Sequence, residues 1–138
     1  MRIRRRAREE ALKMLYSLEL SGNMEGDFLA ELVDREELPE EIKEYAHRLV
    51  VTCREEKNTL DEVISSASEH WSLGRMNFID RNVLRLAACE LLNIEEIPPK
   101  VAINEAVDIA KLYGTESSGA FVNGILDRIA KDRAMEIA

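Results

Sequence analysis

Aromatic side chains are scarce in this sequence, at 5% of 138 residues. Glycine numbers six, proline three and cysteine two. So few strand-formers and turn residues argue against a β-sandwich or barrel. No segment alternates apolar and polar residues cleanly, as a half-buried strand would. Cys53 and Cys89 fall in helical patterns, with no Cys-x-x-Cys pair and no neighbouring histidine. That disfavours a zinc site or disulfide framework and fits a reduced, cytoplasmic setting. No stretch of 18 apolar residues exists, so no membrane-spanning helix is expected. Arg8, Glu9, Glu10 and Lys13 interrupt what would be the apolar part of a secretory signal.

The parts of an active site are missing too. His47 and His70 lie in different predicted helices, and neither has a metal-ligand spacing. Gly119 and Gly124 are too isolated to form a phosphate-cradling loop. Neither cysteine has the electropositive surroundings of a reactive thiolate. The sequence predicts no catalytic residue, no metal and no cofactor.

What is present is helix. Alanine, leucine, glutamate and arginine dominate, and apolar residues recur at helical spacing along the chain. A chain of this length buries roughly two thirds of its unfolded surface, so it needs no metal or disulfide to hold a core. The first helix is predicted over residues 5 to 20, with Ala7, Ala11, Met14, Leu15 and Leu18 on one face and Ser21-Gly22-Asn23 ending it. A short second helix follows Asp27, and a third opens at Pro39. The fourth carries Leu60, Val63, Ile64, Ala67 and Trp71, and Trp71 reads as a core anchor. The fifth, about 77 to 94, is apolar over more than one face and therefore central. Pro98-Pro99 opens the sixth, and Tyr113-Gly114 ends it, with Gly114 as a left-handed cap. Thr115, Ser117 and Ser118 are alternative caps for the last. The expectation is an all-α fold of about seven helices in one domain, with sub-bundles of about 1–72 and 73–138.

The net charge of −8 is unevenly spread. Arg2, Arg4, Arg5, Arg6 and Arg8 crowd residues 2 to 8, leaving 14 basic and 27 acidic side chains elsewhere, a net −13. An acidic body repels phosphate everywhere except beside a basic arm. Guanidinium groups stay charged, donate in a planar fork and stack on bases, which suits RNA. Cations at a helix N-terminus oppose the macrodipole, so the arm is not expected to serve folding. The bland alternative is a solvated tail.

Phe121 supports two readings: a core residue above Ile125, or a base-stacking ring beside helix N-terminal amides. In Asn123-Gly124, Gly124 suggests close helix packing and Asn123 a satisfied buried amide. Asp80, before Arg81 and Arg85, suits a helix first turn.

Three segments taken together resemble the NusB family: RIRRRAREEALKMLYSLEL, WSLGRMNFIDRNVLRLAACELL and IPPKVAINEAVDIAKLYGTESSGAFVNGILDRIAK. The resemblance implies an all-α, two-sub-bundle, non-enzymatic protein. It implies binding to boxA, a single-stranded RNA element of ribosomal RNA transcripts, with the small-subunit ribosomal protein NusE. Other Nus factors and RNA polymerase would be engaged indirectly, and some relatives self-associate. Carried over by position, Arg4, Arg5, Arg6 and Arg8 match the RNA-binding arm. Ser117, Ser118 and Phe121 match a second RNA patch, and Lys100 is a further RNA candidate. Tyr16 and Asp80 match partner-docking positions. The alternatives are a protein-binding helical adaptor and a NusB-like domain without boxA specificity. For RNA to touch both regions, the arm must lie near the start of the last helix.

Overall fold

The computed structural model describes residues 2–22, 35–69 and 71–137. These hold six α-helices and one 3-10 turn, and no strand occurs among them. They are α1 (Arg2–Ser21), α2 (Glu40–Glu55), α3 (Lys57–Ala67), the 3-10 turn (Leu73–Arg75), α4 (Phe78–Asn93), α5 (Pro99–Tyr113) and α6 (Ser118–Ile137). The all-helical class predicted from the sequence is correct. The short helix expected after Asp27 lies outside the described residues.

Helix α1 begins three residues earlier than predicted, so the arginine arm is itself helical. Ala7, Ala11, Leu12, Leu15 and Leu18 form its buried face. Gly22 ends it with a φ of 74°, which glycine adopts without a Cβ clash. Its N–H donates to the Glu19 carbonyl at 3.1 Å. In α2, Glu40 and Glu41 sit in the first turn, where acids suit the macrodipole.

Helix α4 is the centre. Asn77 caps it, its side chain accepting the Asp80 N–H at 2.8 Å. Every residue from Asn82 to Leu91 is buried. That burial follows from position, because α4 packs against α1, α2, α3, α5 and α6. Each fully buried leucine, Leu84 among them, contributes about 2 kcal/mol from lost apolar exposure.

Three local expectations are corrected. Gly114 is extended, with φ −97° and ψ −154°, and is not a left-handed cap. Its role is steric: a Cβ there would lie 2.4 Å from Ser118 Oγ and 2.7 Å from the Ala110 carbonyl. Gly124 has open space around it, and Asn123 is exposed, so neither serves close packing or a buried amide. Trp71 is 54% exposed and is no core anchor. Helix α3 stops at Ala67, and Trp71 follows in the connection to the 3-10 turn.

Candidate functional site

The arm's arginines divide by helix position. Arg4 lies over the Tyr45 ring at 4.7 Å, in a groove of about 390 Å³ lined also by Ile3, Glu41, Glu44 and Arg48. Its Nη1 has no hydrogen-bond partner. Arg5 reaches α5, donating to Glu105 from Nε at 3.0 Å and to Asp108 from Nη2 at 2.9 Å. The hydrogen bond to Glu105 holds the Arg5 pKa above its ordinary value. Arg6 points elsewhere, toward Glu10, and its side chain stays half exposed.

Arg8 is buried. Its Nε donates to Glu90 at 2.9 and 3.0 Å, and its Nη1 donates to Glu105 at 3.0 Å. The Tyr45 hydroxyl donates to the same Glu90. Burial and direct hydrogen bonding to Glu90 push the Tyr45 hydroxyl well above the ordinary tyrosine range. Two expectations change as a result. Arg8 is enclosed in the interior, which leaves the exposed Arg6 and the half-buried Arg4 and Arg5 as the accessible arm. The arm also serves folding, because Arg5 and Arg8 tie α1 to α4 and α5 through Glu90 and Glu105.

The second predicted patch lies where α5 turns into α6. Ser118 is fully buried, and its Oγ accepts the Thr115 N–H at 2.9 Å. That hydroxyl shapes the turn and is not presented to solvent. Ser117 is exposed, and its carbonyl accepts the Phe121 N–H at 3.1 Å. Phe121 is half-buried, packed on the core with one side against Trp71. The core reading of its pattern holds in part, because the ring packs inward while some of it faces out.

Helix α5 connects the arm to this patch. Arg5 meets Glu105 and Asp108, and Glu9 accepts from the Tyr113 hydroxyl one turn further along. The hydrogen bond to Glu9 raises that hydroxyl's pKa to about 12. Beyond Tyr113 the chain enters α6 within five residues. Lys100, Asn104, Asp108 and Lys111 are all exposed and lie at helical spacing along α5. Asp108 is neutralised by Arg5, so the stripe carries positive charge at both ends. Lys100 stands at the opposite end of α5 from the turn into α6, about 20 Å along the axis at 1.5 Å rise per residue. The structure thus sets Arg5 and Glu9 beside α5, between Lys100 and the start of α6, while Arg4 faces the α2 groove.

The predicted docking residues separate. Tyr16 is half-buried, edge-on to Phe78 at 5.8 Å, and so meets the first turn of α4. Asp80 is buried, with Oδ2 accepting from Asn77 at 3.2 Å and Oδ1 unpartnered. Its carboxylate faces inward and offers no surface charge to a partner. Two further exposed side chains lie close to this patch: Lys111, which the sequence reading did not single out, and Trp71, which it placed in the core. Lys111 forms no ion pair among the described residues, and its stem covers Gly119 of α6, where a Cβ would lie 2.9 Å from Cγ and Cε. Only the close spacing of Lys111 to Gly119 across a turn hinted at it.

Among the described residues, no group of three His, Cys, Asp or Glu side chains is placed to hold a metal ion. No helix there is long and apolar enough to cross a membrane.

Comparison with known proteins agrees with this architecture. The chain is 44% identical over 135 residues to the transcription antitermination protein NusB of Desulfosudis oleivorans, covering 96% of this chain and 88% of that one. It is 46% identical over 132 residues to the protein of the same name from Sorangium cellulosum, covering 96% and 94%. The structure of T. maritima NusB superposes with a TM-score of 0.85 at 46% identity, over 94% of this chain and 91% of that one. A crystal structure of antitermination factors NusB and NusE in complex with double-stranded RNA superposes at 0.85, with 33% identity over 96% and 98%. The NusB family model matches residues 5–131, and this chain belongs to the NusB family.

Proposed function

We propose that this chain is a transcription antitermination factor of the cytoplasm that binds boxA, a single-stranded element of ribosomal RNA transcripts, together with NusE. It acts by position and catalyses no reaction. Other Nus factors and RNA polymerase are engaged through that complex. The chain works as one RNA-binding domain in which α4 joins the two helical sub-bundles.

The observation that supports this reading is the shared use of α5. Arg5 and Glu9 of the arm bind along α5, and α6 starts where α5 ends. One RNA strand lying along the Lys100–Lys111 stripe would touch Arg4, Arg5 and Arg6 on the way to Ser117 and Phe121. Phosphate attraction comes from the cations, and base selectivity from stacking and hydrogen bonds to unstacked edges. NusE, docked near Tyr16, extends the RNA-binding surface, so the pair binds more tightly than either component.

A gel shift with boxA and scrambled RNA, with and without NusE, tests the reading. The expected result is a boxA preference that NusE strengthens. Arg4→Ala with Arg6→Ala should reduce the log–log salt slope by roughly 1.4, at about 0.7 per lost single-strand phosphate contact. Equal binding of both RNAs would leave a NusB-like domain without boxA specificity, and no binding of either would leave a protein-binding adaptor.

A further inference from the structure

Trp71 is the one tryptophan of the chain, and it is more than half exposed. A solvent-facing indole on a helical protein is unusual, because burying that ring is worth more than burying most others. The backbone beneath it is held firmly. The Trp71 N–H donates to the Ser68 carbonyl at 2.7 Å. The buried Ser68 hydroxyl donates in return to the Trp71 carbonyl at 2.8 Å. The indole N–H has no hydrogen-bond partner among the described residues.

The ring has one neighbour of note. Phe121 stands edge-on to it, centroids 6.3 Å apart and planes at 84°. Phe121 is fixed from behind by the core. Two aromatic rings from different parts of the chain, one anchored by backbone hydrogen bonds and one by packing, thus form an open corner. Its rim is charged. Arg128 pairs with Glu69 at 3.2 Å and remains half exposed. Arg75, in the same connection as Trp71, is exposed and forms no ion pair among the described residues.

We propose that Trp71 and Phe121 together form a base-stacking corner that takes an unstacked nucleobase of single-stranded RNA, with Arg75 beside the adjoining phosphate. This rests on the RNA-binding reading above and names a residue that reading did not include. The chemistry favours a base over an apolar protein segment. Two rings make a small apolar surface, and the chain around them is charged: Glu69 and Arg75 stand close to Trp71 in sequence, and Arg128 lies two turns beyond Phe121 in α6. A base offers a flat face to stack on one ring, an edge to meet the other, and a phosphate for the unpaired cation. The corner continues from the start of α6, where Ser117 and the stem of Lys111 lie.

Trp71 reports on its own occupancy. Its emission is followed while a single-stranded boxA oligonucleotide is titrated in, and binding is followed in parallel by anisotropy of a labelled strand. Emission should be quenched and saturate at the same RNA concentration as anisotropy. Trp71→Ala should weaken binding by about five-fold or more, the range of one lost stacking contact. Trp71→Phe should restore most of the affinity, and both variants should keep the wild-type salt slope. Saturable binding with unchanged Trp71 emission and an unaffected Trp71→Ala variant would overturn the corner and leave the RNA reading intact. Absence of saturable binding by the wild-type protein, alone and with NusE, would remove both. The emission measurement needs no variant, so it decides the matter even if Trp71→Ala folds poorly.

Discussion

The guanidinium of Arg8 and the carboxylate of Glu90 meet in the interior, Nε to Oε1 at 2.9 Å, with 4% and 2% of their side chains exposed. Glu105 takes the second arm of the same guanidinium, so one arginine compensates two buried acids. Removing one partner of such a cluster leaves the others charged and out of water. Arg8→Ala should therefore lower stability by about 3–5 kcal/mol. Urea unfolding measures the loss. Near room temperature, the RNA salt slope of whatever fraction stays folded should be that of the wild type. Unchanged stability with a shallower slope would mean that Arg8 swings out to phosphate.

The two glycines flanking the start of α6 predict opposite outcomes. At Gly114 a Cβ would collide with Ser118 Oγ and with the Ala110 carbonyl, and backbone cannot step aside cheaply. Gly114→Ala should destabilise by about 1–3 kcal/mol, the usual range for overpacking. At Gly124, inside α6, nothing lies within 4 Å. Gly124→Ala should stabilise by about 0.5–1 kcal/mol through helix propensity and a less flexible unfolded chain. Thermal melts of the two variants check both signs. Two shifts in the same direction would contradict the spaces observed.

Helix pattern was largely legible because the 3.6-residue repeat is local. The buried faces of α1 and α2 follow directly from the spacing of Ala7, Ala11, Leu15 and Leu18, and of Ile42, Tyr45, Ala46, Leu49, Val50 and Cys53. The central place of α4 follows from apolar residues on more than one face, but the burial of Asn82, Arg85 and Glu90 with them comes from the surrounding helices. The fate of each arginine was not legible, because it depends on Glu90 and Glu105, which are 82 and 97 residues from Arg8. Trp71 misled for a different reason. It continues the stripe of Leu60, Ile64 and Ala67, but α3 ends at Ala67 and the register is lost before Trp71. Gly114 followed a local cap signature, whereas the crowding that demands glycine comes from Ser118 in the next helix.

Acid should weaken the fold partly through Glu10. Its carboxylate is 2% exposed and receives Arg35 Nη1 at 2.8 Å, Arg6 Nε at 3.2 Å and Lys13 Nζ at 3.5 Å. Burial pushes its pKa up, but the charges of Lys13 and Arg35 and the hydrogen bonds from Arg35 and Arg6 outweigh it and leave the value below the ordinary one. A carboxyl depressed in the folded state contributes its stability above the unfolded pKa of about 4.3, and that contribution is lost as pH falls through the folded value. Wild-type unfolding free energy should therefore decline below about pH 4.3. Glu10→Gln should be less stable at neutral pH by about 1–3 kcal/mol and show a shallower acid decline. A variant that tracks the wild type across the whole range would show that the Arg35 contact contributes nothing.

Lys111 gives the sharpest test of the path along α5. It carries a charge that no described carboxylate neutralises, between Asp108 held by Arg5 and the first turn of α6. A strand running from the arm to Phe121 must pass it, whereas a strand that binds the arm alone need not. Each single-strand phosphate contact contributes about 0.7 to the salt slope. Lys111→Ala should lower the slope by about that amount and weaken boxA binding at low salt more than at high salt. Its stem also shields Gly119, so Lys111→Gln, which keeps most of the stem, separates lost charge from lost packing. Lys111→Gln should reproduce the slope change with the melting temperature of the wild type. An unaltered slope in Lys111→Gln, alongside a reduced one in the Arg4→Ala, Arg6→Ala variant, would confine the RNA to the arm and separate it from α6.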